Sequence, residues 1–178
     1  MISIDNLSFS YGNDFAMQLA HLEIHSGQKV AFVGESGCGK TTLLSLIAGV
    51  LRPHKGEICI LQQKMHLLSE KELRIFRLQN IGFVFQNFAL LDYLNVRENI
   101  LLPFTLQCKK ITQTNLDRLK YLLNAVGIHD KIHQKPQQLS QGEKQRVAIA
   151  RALIHKPSIV IADEPTGNLD PKNSEKIM

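Results

Sequence analysis

Cysteine is scarce in this 178-residue chain: Cys38, Cys59 and Cys108 are odd in number, far apart and without a CxxC pair. That excludes a disulfide framework, gives no zinc motif and suits a reducing cytosol. No stretch approaches the roughly 18 uncharged apolar residues that a membrane span needs. The amino terminus, MISIDNLSFS, has neither the basic leader nor the apolar segment of a signal peptide. The chain is therefore expected to be neither secreted nor membrane-spanning by itself. Basic blocks are also missing. Lys and Arg are dispersed, with no run longer than Lys109-Lys110, so a net charge of +5 and a pI near 9.2 do not single out a nucleic-acid partner, and none is expected.

What is there is the composition of a globular α/β protein. Hydrophobic residues make up 44% and charged residues 21%, with 11 glycines and 6 prolines, which fits neither disorder nor collagen. The length suits one domain and suffices to bury about two thirds of the unfolded surface. Ile2 and Ile4, then Leu7 and Phe9, alternate with polar residues, as do Leu22 and Ile24 before the Ser26-Gly27 turn, and these predict half-exposed strands. Val30 to Val33 form a continuous apolar run ending in glycine, the pattern of a strand buried on both faces of a parallel sheet. Ile159 to Ala162 repeat that pattern, Ile58 and Ile60 suggest another strand, and Ile81 to Phe85 one more that stops at Gln86. Between Asn87 and Leu139 the period becomes helical. Leu116, Leu119, Leu122, Leu123 and Val126 form a stripe, with Thr114 as N-cap and Gly127 at the C-terminal end. The expected architecture is an α/β core interrupted by a helical insertion.

The stretch GESGCGKT, Gly34 to Thr41, matches GxxxxGK(S/T) and lies between an apolar run and a helical pattern beginning Thr42, Leu43, Leu44. Glycines 34, 37 and 39 let successive N–H groups turn inward onto phosphate oxygens, while the following helix presents its positive end. Lys40 then reaches the β and γ phosphates, and the Thr41 hydroxyl is short enough to ligate magnesium. Two readings of Cys38 stand: a small residue tolerated in the loop, or a thiol made reactive by the helix start.

IVIADEP ends an apolar run with two adjacent acids, whose side chains leave on opposite sides and serve separate tasks. In a phosphate site Asp163 holds magnesium through water, and Glu164 orients or deprotonates the attacking water. Gln86 also ends a strand; its amide can touch both metal and water, although taken alone it reads sooner as an ordinary loop residue than as a ligand. LSQGEKQRVAIARAL, from Leu139 to Leu153, is a polar turn running into a helix. That helix start offers N–H groups to an anion yet carries no lysine of the phosphate-gripping kind at its tip. His129 and His133 read either as two metal ligands one helical turn apart or as a wetted surface.

Taken in order along nearly the whole chain, these segments resemble the ATP-binding subunit of ABC transporters. Gly34 to Thr41 resembles the Walker A loop, Gln86 the Q-loop, Leu139 to Glu143 the signature sequence, Ile159 to Glu164 the Walker B strand, and Asn168-Leu169-Asp170 the D-loop. The fold that the resemblance implies is a P-loop NTPase core with a parallel sheet, an N-terminal antiparallel β subdomain and an inserted helical subdomain. Residues 1–178 would then form one ABC ATPase domain, with 1–86 and 140–178 as the α/β core and 87–139 as the insertion.

The cofactors implied are ATP and Mg2+. ATP would be held by Gly34, Glu35, Ser36, Gly37, Cys38, Gly39, Lys40, Thr41 and Thr42, with Tyr11 against the adenine ring unless it is simply a surface tyrosine at a Tyr-Gly turn. Magnesium would be held by Thr41, Gln86 and Asp163, and hydrolysis carried by Glu164 and Gln86. Ser140, Gln141, Gly142 and Glu143 would face the nucleotide of a second protomer, in a homodimer or with a paired ATPase subunit, which explains the absent lysine. Gln141 stands where the commonest signature has glycine and Glu143 where it often has glutamine, so Gln141 is a candidate to crowd that interface. IGFVFQNFALL, NVRENILLPF and ADEPTGNLD resemble most the branch serving lipoprotein release, macrolide export and peptide efflux.

The family continues past the D-loop and includes a histidine that contacts the γ phosphate, whereas no histidine follows His155 here. Asp170 and Pro171 read as the cap and first position of a helix cut after two turns. The expectation is thus a cassette incomplete at its C-terminus, in which ATP binding survives better than turnover. Its leading function is a motor subunit on the cytoplasmic face of the cell membrane, driving a separate integral-membrane permease through the insertion. The alternative is a module that binds ATP and partner without efficient turnover.

Overall fold

The computed structural model describes residues 1–12, 15–35 and 37–164. The D-loop 168–170, the helix start at Asp170 and Pro171, and Ser36 lie outside the described residues. Two compact units divide the chain, Met1–Arg74 and Ile75–Met178.

In the first unit β1 (Ile2–Tyr11) and β2 (Phe15–Ile24) form an antiparallel hairpin, and β3 (Lys55–Ile60) and β4 (Gln63–Lys64) extend it in the order β2-β1-β3-β4. The alternation in β1 slips by one residue: Ile2 and Ile4, then Leu7 and Phe9, are buried. The slip falls where pairing with β3 shifts register between Asp5 and Ser8 and where Asn6 takes a positive φ of 49°. A bulge therefore keeps all four apolar side chains on one face. They meet Ile58 and Ile60 of β3, paired with Ile4 and Ile2. Helix α1 (Lys40–Ile47) buries Leu46 and Ile47, and α2 begins at Glu70 and ends at Asn80 in the second unit. Neither β4 nor α2 is foreshadowed in the apolar pattern, because their residues are mostly polar.

One expectation fails here. Val30 to Val33 do not form a strand, and Val33 is 95% exposed. A doubly buried strand exists only where neighbours on both sides supply its ladder, and among the described residues none pairs with this run.

In the second unit β5 (Ile81–Val84) and β6 (Ile159–Ala162) run parallel, in register from Ile81 opposite Ile159 to Val84 opposite Ala162. Parallel neighbours require a long crossover. It contains α3 (Val96–Leu106), α4 (Gln113–Ala125) and α5 (Gln141–Leu153), with single 3-10 turns at His129–Lys131 and Pro136–Gln138. The fold is thus mixed α/β, with an antiparallel N-terminal sheet, a parallel pair and a helical insertion. The helix stripe is as expected, but its cap is Thr112 rather than Thr114, because Asn115 reaches back to Thr112 N at 2.9 Å and completes a reciprocal cap. His129 lies in a 3-10 turn and His133 beyond it, so they do not share a helix face, and no metal-ligand cluster occurs among the described residues.

The helical core joins Ile100 and Phe104 of α3, Leu119 and Leu123 of α4, and Val147 and Ala150 of α5. On its other side α5 places Ala148, Ile149 and Ala152 against Val84 and Phe88. This helix is therefore buried nearly all round, and its alanines let both layers approach. Leu123 has no exposed surface. Leu123→Ala is expected to lower stability by about 2–5 kcal/mol, read from the midpoint of urea unfolding.

Candidate functional site

The phosphate loop belongs to the first unit. Gly39 occupies the N-cap of α1 with φ 97°, and α1 has neither a side-chain cap nor an acid in its first turn. Its leading N–H groups are thus left for an external acceptor. Lys40 Nζ donates to the carbonyl oxygens of Gly34 and Glu35, each at 2.8 Å, and lies 3.9 Å from Cys38 Sγ. The ammonium is thus folded back onto the loop's own carbonyl oxygens. Cys38 packs on the loop itself, since a methyl group at Gly34 would lie 2.7 Å from its sulfur. Thr41 is exposed and Thr42 half-buried on the first turn of α1, while Glu35 and Gly37 are exposed on the loop.

Residues absent from the sequence reading support this loop. A methyl group at Gly39 would lie 2.6 Å from both Met17 Cε and Phe15 Cζ, so two alternate side chains of β2 pack on the loop there, at a φ of 97° that itself favours glycine. Their spacing of two along a strand is the signal that could have found them. Tyr11, 49% exposed, lies 6.0 Å from the Phe15 ring and meets Phe9 edge-on at 4.8 Å; Phe9 in turn stacks on His54 at 5.3 Å. An aromatic patch therefore adjoins the loop on the same strands, suited to a flat base.

The second unit holds the acids. Asp163 N donates to Val84 O at 3.0 Å, extending the β5–β6 pairing by one residue. The adjacent carboxylates part as their position dictates: Asp163 is buried and Glu164 exposed, with Glu164 at φ 50°. Gln86 Nε2 donates to Glu164 Oε2 at 2.8 Å, across 78 residues of sequence. Both amide and carboxylate are thereby oriented, and Gln86 Oε1 remains to accept from water or to meet a cation.

The start of α5, in the same unit, differs from that of α1. Ser140 Oγ accepts from Glu143 N at 3.3 Å, and Glu143 Oε2 accepts from Ser140 N at 2.7 Å. This capping box occupies part of the anion-binding capacity of the helix start; Gln141, exposed, and Gly142 lie between its two residues. The Ser140 backbone N–H holds the Glu143 carboxyl below the ordinary glutamate range, against an opposing effect of burial, and Lys131 Nζ stands 3.9 Å from Oε1.

Each unit by itself carries donors of a kind suited to phosphate chemistry: the first an uncapped helix start with a lysine, the second a buried and an exposed carboxylate with an amide. These are the donors of the class of P-loop nucleotide-binding proteins. The model of the ABC transporter family matches residues 17–167, and the chain belongs to this family as one of its ATP-hydrolysing cassettes. It is 40% identical over 177 residues to the lipoprotein-releasing system ATP-binding protein LolD of Bacteroides thetaiotaomicron, covering 99% of this chain and 81% of that one. It is 40% identical over 181 residues to the ABC transporter ATP-binding protein YxdL of Bacillus subtilis, covering all of this chain and 70% of that one. Among solved structures, the dimeric post-hydrolysis state of the ATP-binding cassette MJ0796, bound to ADP and Pi, matches with a TM-score of 0.91 and 36% identity, over 99% of this chain and 79% of that one.

The Glu143 box has a testable pH dependence. A folded-state pKa depressed below the ordinary 4.5 contributes stability that is present above that value and is lost as pH falls through the lowered one. Glu143→Gln keeps the reciprocal cap without the titration. The stability of the original chain relative to Glu143→Gln should stay constant from neutral pH down to about 5.5 and diminish below it, measured by urea unfolding across pH.

Proposed function

We propose that this chain is the ATP-hydrolysing motor subunit of an ABC transporter, working on the cytoplasmic face of the membrane with a separate integral-membrane permease. The observation that carries this reading is the contact between Gln86 and Glu164, which aims an exposed carboxylate beside a buried one at the ends of two paired strands. Likeness to LolD supports placing the chain in the branch that releases lipoproteins or exports peptides. No helix among the described residues is long and apolar enough to cross a membrane, which fits a separate permease.

Gly34, Glu35, Ser36, Gly37, Cys38, Gly39, Lys40, Thr41 and Thr42 bind the phosphates of ATP, and Tyr11 takes the adenine. Magnesium would offset the polyphosphate charge, and Thr41, Gln86 and Asp163 are the residues that would hold it. Lys40 and the N–H groups of α1 orient the γ phosphate. Glu164, steadied by Gln86, accepts the proton of the attacking water as the bond between the β and γ phosphates breaks. Ser140, Gln141, Gly142 and Glu143 serve a second copy: with their own lysine absent and their box closed, they cap a nucleotide that the other copy's Lys40 has gripped. Residues 87–139 form the inserted subdomain that meets the permease.

Glu164→Gln removes the proton acceptor but keeps the hydrogen-bonding shape. In steady-state ATPase assays, turnover should fall by about 100-fold or more while MgATP affinity stays within about twofold. The variant should also dimerise with MgATP in sedimentation runs. Equal turnover in variant and original chain would contradict the assignment of Glu164; ATP bound with no turnover in either would favour a binding module over a motor.

A further inference from the structure

Arg151 lies near the end of α5, 8% exposed, on a helix face otherwise lined by Ala148, Ile149 and Ala152. Among the described residues no carboxylate lies in ion-pair range of it. A buried cation without such a partner is destabilising unless its donors are well used. They are. Nη1 donates to Ala89 O at 2.6 Å, and Nη2 donates to Phe88 O. The two acceptors belong to consecutive non-glycine residues in the left-handed region, Phe88 at φ 62° and Ala89 at φ 47°. Such a pair is strained and persists only where its surroundings dictate it. Here the Phe88 ring is buried against Val84, Ala148 and Ala152, and the guanidinium fork takes both carbonyls. Burial pushes the Arg151 guanidinium down to about 10, so it stays charged at neutral pH.

The turn so fixed begins two residues after Gln86. Its own backbone leaves no slack, since Phe88 N donates to Phe85 O at 2.9 Å and Ala89 N to Asn87 O at 2.7 Å. Gln86 is therefore closed within a small loop whose far side is held from α5, while its side chain holds Glu164. Close approach of helix and strand makes the reach possible: a methyl group at Gly82 of β5 would collide with the carbonyl oxygen of Ala152.

We propose that Arg151 is a positioning residue for hydrolysis, clamping the Phe88–Ala89 turn from helix α5 and so holding Gln86 against Glu164. This rests on the reading of Gln86 and Glu164 as hydrolytic groups. An apolar residue would fill the space, but it would leave the buried Phe88 carbonyl and the part-buried Ala89 carbonyl without this donor and the turn free to relax. Lysine would supply one compact donor group in place of a planar fork.

The test compares Arg151→Met, Arg151→Lys, Gln86→Ala and the double variant Gln86→Ala with Arg151→Met. For Arg151→Met, MgATP affinity should stay within about twofold while kcat falls by about tenfold or more, with Arg151→Lys in between. The double variant should be no slower than Gln86→Ala alone, because one route of action is lost only once. Amide exchange over residues 85–90 should quicken by about tenfold or more in Arg151→Met, with residues 119–123 unchanged. Losses that simply multiply in the double variant, or unchanged exchange over 85–90, would overturn the proposal. If Arg151→Met fails to fold, Arg151→Lys is read by the same measures. Absence of turnover in the unaltered chain would sink the hydrolytic reading instead, and exchange over 85–90 would still decide whether the clamp exists.

Discussion

The N–H groups at the start of every helix need acceptors, and how each helix in this chain meets that need determines what it can do. Helices α3, α4 and α5 close reciprocal boxes with Asn95 and Glu98, Thr112 and Asn115, and Ser140 and Glu143. Helix α2 does the same through Ser69 and Glu72, where Ser69 N donates at 2.8 Å and Glu72 N donates back at 3.4 Å. Helix α1 alone among the α-helices described begins on a left-handed glycine with no side chain to help it. Its open donors, with Lys40 bonded to the Gly34 and Glu35 carbonyls of the same loop, have the electrostatic form of a site awaiting an anion. The glycines that make this opening are also what let Phe15 and Met17 of β2 pack on the loop.

The second constraint lies in α5. One helix of 13 residues, about 20 Å long, carries Ser140 at its start and Arg151 near its end. Its small residues let it pack between the helical layer and the parallel pair, so its position relative to β5 is fixed on both sides. A helix so held can set the geometry of whatever its side chains grasp, and Arg151 grasps the segment after Gln86. The interaction at the acids is correspondingly economical: one amide hydrogen bond aims Glu164, and a backbone bond from Asp163 to Val84 seats the other carboxylate.

Much of this was legible in the sequence. The helix that opens at Lys40, the strand that ends before the acid pair, and the burial of Ile2, Ile4, Leu7 and Phe9 are local patterns with local causes, and the structure has each of these elements, though not the strand expected before Gly34. The likeness to ABC cassettes bears out the family that the motifs suggest. What escaped was non-local. Val30 to Val33 have the composition of a buried strand, but composition cannot provide the neighbours that a strand requires. Thr112 prevailed over Thr114 because Asn115 reaches back to it, a choice settled by a side chain three positions on. Arg151 reads in sequence as one more cation in a basic helix. Only the fold brings it to two carbonyls 62 and 63 residues away.

The division of labour between an open helix start and a closed one is the claim on which the account turns, and equilibrium MgATP binding to monomeric Lys40→Ala and Ser140→Ala tests it most directly. Loss of the charged donors of Lys40 should weaken binding by about tenfold to 100-fold, whereas removal of the Ser140 hydroxyl should leave monomer affinity within about twofold. Comparable losses in both variants, or a loss confined to Ser140→Ala, would contradict it.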